Sequence, residues 1–274
     1  MAKLFRNSFK LAAADLANQY ALPVKSATGW IVSKIGARRT SALNRLVVER
    51  LAVKPGDRIL ELGYGRGDGL SYCLQRLQGD GLVSGIERSH YMEELAQKRF
   101  ILELAEGNAL SLERCVDLRN LPYPSDLFTS AYHVDVFYFI HQDRLPEICR
   151  ELFRVLQPGA KMVCGMEFKR LEKLTRWGLL HKTQRDPMRY MSSLEHAGFL
   201  DIKIDYVDGS SGRQFQLIST RKPDADETHL DVEAQMARLE RQIKRELLMV
   251  ELKKSGRAPS QDDLIILREE VEQK

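Results

Sequence analysis

Hydrophobic residues along this chain change period several times, and the changes divide it into three zones. Across residues 1–50 apolar positions recur at helical spacing, broken around Pro23 to Gly29, and resume through Trp30, Ile31, Ile35, Leu43, Leu46, Val47 and Leu51. Two helices forming an amino-terminal cap are expected there. After the turn Lys54-Pro55-Gly56-Asp57, short apolar runs alternate with helix-period stretches as far as Arg221. Strands are expected at 58–62, 82–86, 113–116, 128–134, 160–167, 201–207 and 213–219, and helices at 67–77, 90–105, 143–156 and 188–197.

Such alternation predicts an α/β fold, a Rossmann-like, doubly wound, mostly parallel seven-stranded sheet. The last two strands, joined by Asp208-Gly-Ser-Ser-Gly212, predict one antiparallel edge strand. Beyond Pro223 the chain becomes charged, with Val232, Met236, Leu239, Ile243, Leu247 and Val250 at three- and four-residue steps. The expected domains are thus a helical cap (1–50), a central domain (51–222) and an amphipathic helical extension (223–274) with a short helix at 262–271. The stretch 228–254 could pack on its own domain, pair with a second copy, or dock a partner.

Composition narrows the class. With 43% hydrophobic and 29% charged residues in 274, the chain can bury a sizeable core. No apolar run approaches the roughly 20 residues of a membrane span. Cys73, Cys115, Cys149 and Cys164 stand singly, outside any metal-ligand spacing, so no metal is expected and a cytoplasmic, reducing compartment is. The start, MAKLFRNSFK, offers mitochondrial import as a minority alternative, which Asp15 counts against. Residues 1–50 hold nine basic and two acidic side chains, a local surplus of seven within a net charge of +4. A solvated helix face accounts for it as well as an anionic partner does.

The chemistry concentrates at Arg58-Ile-Leu-Glu-Leu-Gly-Tyr-Gly-Arg-Gly-Asp-Gly69, a strand followed by Glu61, Gly63, Gly65 and Gly67 at alternate positions and then a helix start. Glycines there allow a tight turn and a close backbone approach to a ligand, and the helix start offers free N–H groups. The dinucleotide pattern GxGxxG fails, because Asp68 and Leu70 stand where its third glycine would be.

ExGxGxG at a strand-to-helix turn resembles the first motif of class I S-adenosylmethionine-dependent methyltransferases, and further stretches resemble that family in order from Asn18 to Arg221. Closest in pattern is the methyltransferase type 11, ubiquinone/menaquinone-biosynthesis-like branch. Val83-Ser-Gly-Ile-Glu-Arg-Ser89 ends a second strand on Glu87, where the family has a ribose-binding acid. Cys115-Val-Asp-Leu-Arg-Asn-Leu-Pro-Tyr-Pro124 is similar to the segment that places an acid, here Asp117, beside the adenine amino group. Asn108 is the competing candidate, set too far from Leu-Pro-Tyr-Pro. Arg154-Val-Leu-Gln-Pro-Gly-Ala160 and His196-Ala-Gly-Phe199 resemble later elements, with Ala160 and Thr129 departing from the pattern.

The resemblance implies S-adenosyl-L-methionine as cofactor, bound by Glu61, Gly63, Tyr64, Gly65, Gly67, Glu87, Arg88, Asp117, Leu118 and Tyr132. A small-molecule methyl acceptor is implied, methylated by in-line displacement. After the fourth strand, His133, Asp135 and His141 are candidate bases, and Tyr138, with Tyr132 and Phe137, offers an aromatic face for positive charge. Alternation puts His133 and Asp135 on one face and Tyr132 on the other. The cap, including Trp30 and Asn44, and residues 168–187 are expected to close over the pocket. The segment Val134-Asp-Val-Phe-Tyr-Phe139 lacks the Asn/Asp-Pro-Pro-Tyr signature of amino-group methylation on nucleic-acid bases, and no RNA-binding module is recognisable. Two alternatives stand beside a small-molecule methyltransferase: a catalytically silent cofactor-binding scaffold or regulatory subunit, and an RNA or protein methyltransferase.

Overall fold

In the computed structural model, the described residues are 15–16, 18–209, 212–228, 243–244, 247–250, 252 and 254. They open on the chain around Gln19 to Pro23, which leads into helix α1 (Ala27–Leu51). The Ser26 side chain caps α1 by accepting the N–H of Gly29, and Ala52 ends it in the left-handed conformation. Its buried residues Leu43, Val47, Val48 and Leu51 lie against the sheet. Contact is close because β5 presents Gly165, where a Cβ would come within 2.5 Å of Val47.

The core alternates β1 (Arg58–Leu62), α2 (Asp68–Leu77), β2 (Leu82–Glu87), α3 (His90–Arg99), α4 (Ile101–Glu106), β3 (Leu110–Arg114), β4 (Phe128–Val134), α5 (Leu145–Val155), β5 (Leu156–Glu167), α6 (Phe168–Arg176), α7 (Met188–His196), β6 (Leu200–Asp208) and β7 (Gln214–Arg221). The sheet order is β3-β2-β1-β4-β5-β7-β6. Pairings are parallel from β3 to β5, and β7 runs antiparallel to both β5 and β6. The strand running against the rest is therefore β7, second from the rim, with β6 outermost. One apolar layer packs under α5 and α7, and a second lies between the sheet and α1 and α2.

Three boundaries differ from the periodicity. The helix expected at 90–105 is broken at Phe100, whose ring is buried against Gly67. The third strand lies at 110–114 rather than 113–116, because Leu110 pairs with Val83 and is buried, whereas Val116 is largely exposed. Strand β5 begins at Leu156 instead of 160, passing through Pro158-Gly159 with a register shift against β4.

The chain forms two compact units, Met1–Pro223 and Asp224–Lys274. Helix α1 belongs to the first. Of the second, Ala225–Thr228 forms a short helix, α8, and 247–250 are helical; most of the stretch expected at 228–254, and all of 262–271, lie outside the described residues. Among the described residues no helix is long and apolar enough to cross a membrane, no His/Cys/Asp/Glu group could hold a metal ion, and the four cysteines are free and buried.

Candidate functional site

The order of strands reverses beside β1, and ligands of open α/β sheets bind in the crevice such a reversal leaves at the strands' carboxyl ends. A cleft of about 1160 Å³, its open mouth included, lies there. Its floor is Glu61, Gly63, Tyr64 and Gly65 at the end of β1 and just beyond it, Glu87 and Arg88 at the end of β2, and Val134, Asp135 and Val136 at the end of β4. Each group stands at a strand end, so the parallel register itself aligns them.

Gly63 and Gly65 have φ of +73° and +53°, as the tight turn requires. A Cβ on Gly63 would press within 2.7 Å of Val136, whereas one on Gly65 would meet nothing within 4 Å. The space before Gly65 belongs to the cleft.

Two carboxylates flank this loop. Glu87 accepts Gly65 N–H at 3.0 Å through one oxygen, and Arg88 and Ser89 N–H at 2.7 and 2.9 Å through the other. Burial raises its pKa, and these three N–H groups oppose the rise. Glu61 is buried beside Tyr132, its register partner on β4, whose hydroxyl donates to it at 2.7 Å. Burial pushes Glu61 up to about 8, with Asp68 and Glu87 adding repulsion against the opposing Tyr132 and Leu70 hydrogen bonds. A buried carboxyl held at such a pKa is suited to meeting a ligand's positive charge.

The other wall is one face of α1, where Val32, Ser33, Gly36, Ala37, Thr40 and Asn44 line the cleft. Arg66 crosses the loop to donate to Ser33 Oγ at 3.2 Å, tying this wall to the floor. Ser89 Oγ donates to Pro23 O, pinning the chain before α1 over the end of β2. Sequence reasoning found Asn44 but not the rest of this face; its small residues at three- and four-residue steps were the available signal. Trp30, expected over the pocket, is half exposed and off the cleft.

The remaining candidates divide. Leu118 lines the cleft, but Asp117 does not: its carboxylate is exposed and held at 2.8–3.2 Å by the Arg119 side chain, which keeps its pKa down at about 2. Tyr64 lines the floor with its ring buried in the core on the α1 side, whereas Tyr132 sits behind the floor as the prop of Glu61. Of the candidate catalytic residues, Asp135 reaches the cleft. It takes a left-handed φ of +61°, donates its N–H to Gly165 O at 3.0 Å, and pairs through Oδ2 with Arg170 of α6. Its Oδ1 is buried without a hydrogen-bond partner.

His133, Tyr138 and His141 are off the cleft wall. His133 points to the opposite side of the sheet, its Nε2 2.7 Å from the Tyr190 hydroxyl, and burial lowers its pKa to about 4. Tyr138 is fully buried; burial first, then the charge of Asp135, pushes its hydroxyl far up. His141 is exposed beside Asp143 at 3.2 Å. Their position in sequence, His133 within β4 and the other two just after it, brought them near the site without turning them into it.

Residues 59–159 match a family described as a methyltransferase domain. Residues 59–159 thus form a methyltransferase domain. The domain is 36% identical over 119 residues to 2-phytyl-1,4-naphtoquinone methyltransferase of Synechococcus elongatus, a match covering 43% of this chain and 48% of that protein. The chain thus spans about half the length of that relative. An uncharacterized methyltransferase of Bacillus subtilis, YdaC, is 26% identical over 182 residues, 64% of this chain and 90% of that one. The methyltransferase fold also superimposes on geranyl diphosphate C-methyltransferase from Streptomyces coelicolor with a TM-score of 0.55, 13% identity, and coverage of 72% and 86% of the two chains.

Proposed function

We propose that the protein transfers a methyl group from S-adenosyl-L-methionine to a small-molecule acceptor. The observation that carries this reading is the pairing of two buried carboxylates, Glu61 and Glu87, on either side of a glycine loop whose Gly65 faces open cleft. The residues fit the cofactor: Glu61 is placed for its ammonium group, Glu87 retains acceptor capacity for ribose hydroxyls, and Leu118 and Met92 offer apolar wall to its base.

When bound, the cofactor supplies an electrophilic methyl group on a sulfonium. The chain's own task is to orient the acceptor and exclude water, since holding the reacting atoms in line lowers the barrier to such a displacement. Asp135 is assigned to the acceptor end, because it lines the cleft while Arg170 fixes its side chain. Phe139 and Ile140 supply apolar wall nearby. The relatives named for a naphthoquinone and for geranyl diphosphate support a small molecule in this role. Buried, free cysteines support a cytoplasmic setting. The pattern at 228–254 supports docking of a second copy or another protein.

Calorimetric titration with S-adenosylhomocysteine and S-adenosylmethionine tests the reading. Saturable one-to-one binding is expected, followed by mass gain of 14 in an acceptor on incubation with a small-molecule panel. Folded protein that binds neither ligand would overturn it.

A further inference from the structure

Next to the cofactor cleft lies a second cavity of about 690 Å³, open mouth included. Its wall carries Arg39 from α1, Lys169, Arg170 and Lys173 from α6, and Arg213 from the turn before β7, against a single carboxylate, Glu167. Arg170 is already matched by Asp135. Leaving Arg213 out of the count as well, Arg39, Lys169 and Lys173 face one acid, an excess of two positive charges in one small space.

How these cations are held matters. Lys169 donates to the backbone carbonyl of Gly212 at 2.5 Å, and Lys173 rests over the Trp177 ring at 4.5 Å. Arg213 donates to the carbonyl of Arg39 at 3.0 Å, drawing two cationic residues together across 174 positions of sequence. Among the described residues, Arg39, Lys169 and Lys173 have no carboxylate within ion-pair distance, although Lys25, Arg45 and Arg50 elsewhere on this unit do. Three separate elements bring like charges together, and their mutual repulsion calls for a multiply charged anion rather than a single carboxylate.

Tyr20 and Arg170 line both cavities, so the second opens beside the acceptor end of the first, next to Asp135. We infer that the second cavity is a phosphoryl subsite, and that the methyl acceptor carries a phosphate or diphosphate which Arg39, Lys169, Lys173 and Arg213 hold while its reacting end extends past Tyr20 to Asp135. Trp177 and Leu174 give the subsite an apolar side for carbon next to the phosphoryl group. This deepens the methyltransferase reading and rests on it for the word acceptor; anion binding itself does not.

The test uses the full chain, first saturated with S-adenosylhomocysteine, titrated with sodium pyrophosphate at constant ionic strength. Saturable one-to-one binding is expected, weakened at least tenfold in the double variant Lys169→Ala, Lys173→Ala and retained within threefold in Lys169→Arg, Lys173→Arg. Affinity for S-adenosylhomocysteine should stay within twofold in both, which separates the subsite from the cofactor cleft. Absence of saturable pyrophosphate binding, or equal binding by the alanine variant, overturns the proposal. So does binding to phosphatidylglycerol-containing vesicles that pyrophosphate does not displace, since that identifies a basic surface rather than a subsite. Should S-adenosylhomocysteine fail to bind, the methyltransferase reading falls, and the pyrophosphate titration still decides the anion site.

Discussion

Glu87, at the end of β2, accepts the backbone N–H of Gly65 at 3.0 Å from the middle of the loop that follows β1. The acid assigned to the ribose is therefore also a brace of the loop proposed to receive the cofactor. Glu87→Ala removes both roles and leaves three N–H groups, of Gly65, Arg88 and Ser89, without their acceptor. A loss of about 1.5–3 kcal/mol in S-adenosylhomocysteine affinity is expected, roughly 10- to 150-fold, with a lowered melting temperature. Glu87→Gln should recover part of both, because its amide oxygen still accepts. Unchanged affinity in folded Glu87→Ala would detach β2 from the site.

Gly65 and Gly67 differ in what surrounds them, which separates binding from folding. Both have positive φ, so either substitution by alanine costs about 1–2 kcal/mol of backbone strain. A Cβ on Gly67 would in addition approach Phe100 to 2.3 Å. Gly67→Ala should show the larger drop in melting temperature, partly restored by Phe100→Ala. Gly65→Val should stay folded yet lose S-adenosylhomocysteine affinity by more than tenfold, as its side chain enters the cleft. Equal binding by Gly65→Val and the parent protein would refute the loop's role.

Legibility in the sequence followed distance along the chain. Glu61, the glycine loop and Glu87 lie within 27 positions, each fixed by a strand end, so spacing alone places them together. Strand alternation also put Tyr132 and His133 on opposite faces. What it could not show is that the His133 face is closed by Tyr190 of α7, 57 residues away, which makes the histidine a core residue. The α1 wall and the cationic cavity are likewise products of packing between distant segments: Ser33 meets Arg66, and Arg39 meets Arg213.

Asp117 tests how far a motif carries. Its carboxylate is occupied by Arg119 outside the cleft, while Leu118 faces in. Asp117→Ala should therefore reduce S-adenosylhomocysteine affinity by less than threefold, and Leu118→Asp by more than tenfold, through desolvation of a charge against the ligand. A tenfold loss in Asp117→Ala would show that the carboxylate leaves Arg119 when the ligand binds.

Glu61 gives the site a pH signature with a definite sign. Its pKa rises from 4.5 to about 8 in the folded chain, chiefly by burial, so between those values the folded state keeps a proton that the unfolded state releases. The contribution of this residue to stability is thus fullest below pH 4.5 and declines as pH rises to about 8. Glu61→Gln, which preserves the acceptor for Tyr132, should remove that decline and gain melting temperature over the parent at pH 8. A ligand ammonium beside Glu61 favours the charged carboxylate, so S-adenosylhomocysteine binding at pH 7 should release a proton. Calorimetry in buffers of different ionisation enthalpy measures that release directly. It should vanish in Glu61→Gln, and a parent protein that binds with no proton release would place the ammonium elsewhere.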